Sequence, residues 1–172
     1  MKVFLIGLPG SGKSTLGKQL ANSLLIPFID LDIAIEKSEK RKISEIFKES
    51  GEDYFRKIES EILIKWIQSD TDYIMATGGG TPCFYTNMQE MNKAGATIFL
   101  DVSPMEIAHR IHSSKNQSRP LFDKMNFDVL KDQIEILRTR RISFYKTAKK
   151  IIADKNISSS QVLALIKKET QR

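Results

Sequence analysis

Val3-Phe4-Leu5-Ile6-Gly7-Leu8-Pro9-Gly10-Ser11-Gly12-Lys13-Ser14 decides the fold of this 172-residue chain. Four apolar residues read as a short buried strand. Gly7 to Ser14 then satisfies G-x-x-x-x-G-K-[ST] at every fixed position, and residues 13–25 read as a helix with Leu16, Leu20 and Leu24 on one face. The glycines let the backbone turn inward, so successive N–H groups point into one cavity at a helix N-terminus. Lys13 brings a point charge to the β and γ phosphates, and Ser14 offers a hydroxyl to Mg²⁺. The bland alternative is an ordinary glycine-rich turn. Strand, full motif and helix together favour a nucleotide triphosphate held by Gly10, Ser11, Gly12, Lys13, Ser14 and Thr15.

Outward from this stretch, strand and helix alternate. Residues 27–29, 73–76, 96–100 and 151–153 read as further short apolar strands. Helical stripes fall at 43–47, at Phe55, Ile58, Ile62 and Trp66, and over residues 127–141; Gly51 separates the first two. Ser103-Pro104-x-Glu106 predicts a capped helix start, and residues 158–168 a closing helix with Gln161 in the capping position. The pattern predicts a five-stranded parallel sheet with helices on both faces, in one domain over residues 1–172. Ligands in such sheets bind at the carboxyl ends of the strands, here Gly7, Asp30, Gly78 and Asp101. Residues 113–123 are polar and aperiodic, with Lys115, Arg119 and Pro120, and are read as a lid.

The hydrophobic fraction is 41% and the charged fraction 28%, which argues against disorder or a fibrous repeat. Net charge +6 favours anionic partners, but the basic residues are interleaved with acids. No aromatic-basic alternation of the single-strand-binding kind occurs, so no nucleic acid partner is expected. No uncharged apolar run approaches the ~20 residues that cross a bilayer, and Met1-Lys2 leads directly into a strand, so neither membrane nor secretory leader is expected. Cys83 alone excludes an internal disulfide and fits a reducing cytoplasm.

Among P-loop classes, a guanine-nucleotide switch needs N-K-x-D, and Asn92-Lys93-Ala94-Gly95 fails at its last position. A motor-type ATPase needs more chain than this. A small-molecule kinase remains, and here the chain resembles the shikimate kinases over essentially its whole length. The resemblance is carried by the P-loop, Asp30-Leu31-Asp32, Phe55-Arg56-Lys57-Ile58-Glu59, Gly78-Gly79-Gly80, Arg119-Pro120-Leu121, and Arg141 four residues before Tyr145. It implies a nucleoside-monophosphate-kinase-like fold with sheet order 2-3-1-4-5. It further implies transfer of phosphate from ATP, with Mg²⁺, to the 3-hydroxyl of shikimate, by a monomer. A gluconate kinase, or a nucleotide-binding regulator without chemistry, are the alternatives. The chain departs from the family in lacking Pro-Leu before Tyr145, and in having Asn156 and Ser158 where a basic residue often covers the adenine.

Asp30 and Asp32 can be a helix cap and a solvated neighbour; with a P-loop beside them they read as a metal carboxylate and an acceptor for the substrate hydroxyl proton. Arg56 and Glu59 can form an exposed pair, but Glu59 lies within about 40° of the apolar stripe, so burial and a role in aiming Arg56 are expected. The resemblance gives Arg56 the shikimate carboxylate and places the ring on Gly78, Gly79 and Gly80. Arg119 is read as a lid arginine on the transferring phosphates, and Arg110 as reaching the same phosphates or facing solvent. Arg141 lies about 10° from the centre of the stripe formed by Phe127, Leu130, Ile134 and Leu137, so it points inward and needs an anion. The shikimate carboxylate is one candidate and a protein carboxylate the other. Arg138 and Arg140, roughly 70° and about 90° away, are expected to face solvent. Cys83, His109 and His112 are given no functional role.

Overall fold

The computed structural model describes residues 1–113, 125–153 and 157–170. The apolar runs are strands β1 (Lys2–Ile6), β2 (Phe28–Asp30), β3 (Tyr73–Ala76), β4 (Ala96–Leu100) and β5 (Lys150–Ile152). They form one sheet of order β2-β3-β1-β4-β5, all pairs parallel. The expected order is therefore the observed one. β1 is central, with Val3 opposite Ile74 on one side and Ala96 on the other.

Strand side chains alternate between faces, so an all-apolar strand feeds two cores. Phe4 and Ile6 enter a core with Leu31, Ile35, Leu63, Phe99, Ile107 and Ile134. Val3 and Leu5 enter a second with Leu16, Leu20, Ile98, Val162 and Ile166. The first core is covered by helices α2 (Leu31–Glu39), α3 (Ile43–Gln68), α4 (Asn87–Ala94), α5 (Pro104–Ser113) and α6 (Phe127–Tyr145). The second lies under α1 (Lys13–Leu24) and α7 (Ser159–Thr170).

Local chemistry sets the helix ends. Asp30 accepts from the Asp32 amide and caps α2; Asn126 accepts from the Val129 amide and caps α6. Ser158 and Gln161 form the expected reciprocal box before α7. Gly51, at φ 80°, breaks the regular geometry inside α3 where a stop was expected. At α5 only half of the expected box forms. Ser103 Oγ accepts from the Glu106 amide, but the Glu106 carboxylate turns to Arg110 instead.

Several boundaries differ from the sequence reading, β2 among them, which starts and ends one residue later than residues 27–29. β5 starts one residue earlier than residues 151–153. α6 runs to Tyr145 rather than stopping at 141, because nothing at 142–145 breaks a helix and Tyr145 is fully buried at its end. Residues 81–94, left without an element, contain a 3₁₀ turn at Thr81–Cys83 and α4. Met88, Met91 and Ala94 fall three apart and pack on the first core, but so short a stripe after Pro82 does not by itself predict a helix. The lid at residues 113–123 and Arg119 lie outside the described residues, save Ser113 at the end of α5.

Candidate active site

The loop between β1 and α1 takes left-handed backbone at Gly7 (φ 144°), Gly10 (φ 88°) and Gly12 (φ 95°), which side chains rarely permit. Its amides and the start of α1 make an anion cradle. Lys13 Nζ donates to the carbonyls of Gly7 and Leu8, at 2.8 and 2.9 Å, so its ammonium is held over the loop. Ser11 Oγ is buried with no hydrogen-bond partner, a polar group whose partner would be a ligand of this loop. Arg110 reaches in from α5, its Nη1 3.3 Å from the Ser11 carbonyl, while Glu106 holds its Nε at 2.9 Å. Arg110 thus lies beside the phosphate loop while remaining partly exposed.

Ser14 Oγ donates to Asp30 Oδ2 at 2.9 Å. Hydroxyl and carboxylate oxygens at the mouth of a phosphate cradle are a donor set that suits Mg²⁺. Asp30 thus both caps a helix and faces the loop.

Opposite the loop, Gly78, Gly79 and Gly80 follow β3, and side chains crowd onto all three. A Cβ on Gly78 would lie 2.9 Å from Glu59 Oε1 and 3.1 Å from Asp32 Oδ1. On Gly79 it would lie 3.0 Å from Arg141 Nη1, and on Gly80 2.7 Å from both terminal nitrogens of Arg56. The glycines make room first for the side chains of the site, a reason distinct from contact with a ligand. Asp32, Arg56 and Arg141 are thereby gathered on one wall.

Glu59 is fully buried, and its Oε2 takes a hydrogen bond from Arg56 Nη1 at 2.8 Å. The exposed-pair reading fails, and the buried one holds. Arg56 is itself nearly buried, with its guanidinium 4.2 Å from the Phe84 ring centroid. Its outer edge, Nε and Nη2, meets one oxygen of Glu52 at 3.2 and 3.1 Å. Asp32 is open to water along the cleft but has protein on most sides. That enclosure, then the charges of Asp30 and Glu59, push its carboxyl up to about 6, against the pull of Lys13 and Arg56.

On α6, Arg141 reaches the glycines as its helical phase predicts, and Tyr145 Oη donates to the Gly79 carbonyl at 2.5 Å. Arg140 is exposed, as expected. Arg138 is not: its Nη2 pairs with Asp101 Oδ1 at 2.6 Å, and its Nε is buried without a partner. A long side chain 70° off the stripe still reaches the end of β4, which corrects the solvent-facing expectation. His109 and His112 rest against the Phe127 ring, and burial raises the half-buried Cys83 thiol. Asn92 bonds the Thr97 hydroxyl and the Thr147 carbonyl, a structural use. Glu52, Phe84 and Thr81 were missed; only Glu52 left a signal, its i,i+4 spacing to Arg56.

Phosphate cradle, metal-suited oxygens and a basic, carboxylate-bearing wall across a parallel sheet of this order define a P-loop phosphotransferase of the nucleoside-monophosphate-kinase-like class. The profile of the shikimate kinase family matches residues 9–171. A shikimate kinase of Bacteroides fragilis is 42% identical over 163 residues, 94% of this chain and 90% of its own. One of Clostridium botulinum is 37% identical over 96% of this chain and 94% of its own. The crystal structure of shikimate kinase from Bacteroides thetaiotaomicron superposes with TM-score 0.91 at 35% identity, covering 100% and 99% of the two chains. The solved structure of shikimate kinase from Acinetobacter baumannii in complex with shikimate gives 0.85 at 28%, covering 99% and 95%. The chain belongs to the shikimate kinase family.

Proposed function

We propose that this chain transfers the γ-phosphoryl group of ATP to the 3-hydroxyl of shikimate, acting as a cytoplasmic monomer on small molecules alone. The observation that carries the reading is the convergence of Asp32, Arg56 and Arg141 on the triple glycine, across from the P-loop. Two guanidiniums suit the carboxylate of the acceptor, each able to grip it with paired bonds. Asp32 accepts the proton of the attacking hydroxyl and orients it. With its carboxyl held up near 6, it is ionised at neutral pH yet a better proton acceptor than an ordinary aspartate.

Residues 10–15 bind the phosphates through backbone amides and the charge of Lys13. Arg110 steadies the phosphate loop through Ser11, and Arg119, from the lid, adds charge as the phosphoryl group moves. Ser14 and Asp30 would hold Mg²⁺, directly or through its waters, and the bound ion would offset phosphate charge. Phosphoryl transfer is mainly positioning and charge stabilisation, and these residues supply both. Among the described residues no helix is long and apolar enough to cross a membrane.

The test is ADP release from Mg²⁺-ATP with shikimate, with gluconate and with neither. Release only with shikimate supports the reading. Release with gluconate overturns it in favour of another kinase, and ATP binding with no acceptor-dependent release overturns it in favour of a regulator.

A further inference from the structure

Thr81 stands directly after the triple glycine and is fully buried. Its hydroxyl donates to Glu59 Oε1 at 2.6 Å, while Arg56 takes the other oxygen, Oε2. Its carbonyl accepts from Asn87 Nδ2 at 3.0 Å, and Asn87 Oδ1 accepts from Ser60 Oγ at 2.6 Å. Ser60 is the chain neighbour of Glu59 on α3. The connection therefore closes on itself: α3, Thr81, Asn87 and back to α3. Its backbone amide donates to the Gly78 carbonyl at 3.2 Å, which ties the glycine segment into the same ring.

We propose that Thr81 is a positioning residue for the acceptor's carboxylate: its hydroxyl fixes Glu59, and Glu59 fixes the guanidinium of Arg56. The inference rests on the reading above, in which Arg56 grips that carboxylate. Glu59 is walled from water, so each of its oxygens depends on its protein donor. With the Thr81 hydroxyl removed, Oε1 loses its donor. The carboxylate then turns toward Arg56, its remaining donor among the described residues, and draws the guanidinium from its seat over Gly80. The P-loop has no part in this ring, so the effect is confined to the acceptor.

The experiment compares Thr81→Val, which keeps shape, Thr81→Ala, which removes the hydroxyl without a replacing methyl, and Thr81→Ser, which keeps the hydroxyl. KM and kcat are measured with shikimate and ATP varied separately, beside the wild-type protein. The expected result is a KM for shikimate raised at least fivefold in Val and Ala, with the KM for ATP unchanged and kcat within about threefold. Thr81→Ser should remain within about twofold of wild type throughout. If Thr81→Val does not fold, Thr81→Ala carries the comparison. Unchanged shikimate KM in the variants lacking the hydroxyl, or a Ser variant as impaired as Ala, overturns the role. So does a parallel rise in both KM values, the mark of a general structural loss. Wild-type protein without shikimate-dependent ADP release overturns the functional reading and this inference with it, a result separable from the others.

Discussion

Arg138 Nη2 lies 2.6 Å from Asp101 Oδ1, so the helix that carries Arg141 is bound by charge to the carboxyl end of β4. Both partners are partly exposed, which limits the pair to about 1 kcal/mol of stability. Arg138→Ala should lower stability by about that much in urea unfolding, with shikimate affinity reduced less than threefold. Arg141→Ala should weaken shikimate binding at least tenfold, about 1.4 kcal/mol, with ATP affinity unchanged. Calorimetric titration of both variants separates anchor from contact. Equal losses would mean that Arg141 is not a contact.

Gly80→Ala asks how tightly Arg56 is seated. Gly80 has ordinary backbone, φ −88° and ψ −23°, so alanine costs no strain there. Its methyl would meet the Arg56 guanidinium at 2.7 Å. The expected outcome is a large rise in shikimate KM together with a lowered melting temperature, because the displaced guanidinium strains its pair with buried Glu59. A variant with wild-type KM would show that Arg56 moves freely.

Glu52 sits on the outer edge of Arg56, where an acceptor carboxylate would dock. It is the exposed member of that pair, and such a contact is worth under about 1 kcal/mol. Glu52→Gln removes a competitor and should lower the KM for shikimate two- to threefold, more so at low salt. A raised KM would give Glu52 a supporting role instead.

Asp32 sets a pH dependence. Its carboxyl is held up at about 6, so kcat/KM for shikimate should fall as pH drops through 6 and the base takes a proton. Stability runs the other way. The folded value lies above the ordinary 3.8, so the favourable contribution is complete below 3.8 and is lost as pH rises through about 6. Asp32→Asn should therefore melt higher than wild type at pH 8, by a margin that shrinks toward pH 4. Thermal melts across that range decide, and a margin that grows in acid would contradict the assignment.

Lys13→Ala should abolish transfer while the fold persists. Its ammonium bonds the loop carbonyls of Gly7 and Leu8, and its charge is a device for phosphate. Near-normal turnover in the variant would remove Lys13 from the mechanism.

The P-loop and the strands were legible because a full motif and apolar runs carry their own context, whereas the order of the strands was implied only by the family resemblance. The burial of Glu59 was legible too, since it follows from helical phase alone. Arg138 was not, because a helical wheel measures angles within one helix and is blind to Asp101 on another element. Thr81 and Asn87 lie in a short turn and at the start of an eight-residue helix, off its Met88–Met91 stripe, and their bonds cross to α3. Long-range polar pairing of that kind has no local signature. The extension of α6 past residue 141 depends on a socket for Tyr145, which only the assembled fold supplies.

The strand order also has a temporal side. β1 is the first strand to leave the ribosome, yet its two neighbours are β3 and β4. Val3, Phe4, Leu5 and Ile6, none of them accessible in the finished protein, therefore wait without a sheet partner until residues 73–76 have been made. Non-local pairing of this kind slows folding. The nascent chain therefore exposes this apolar strand while residues 7–72 are made. The phosphate loop attached to that strand takes its shape only after the later strands arrive.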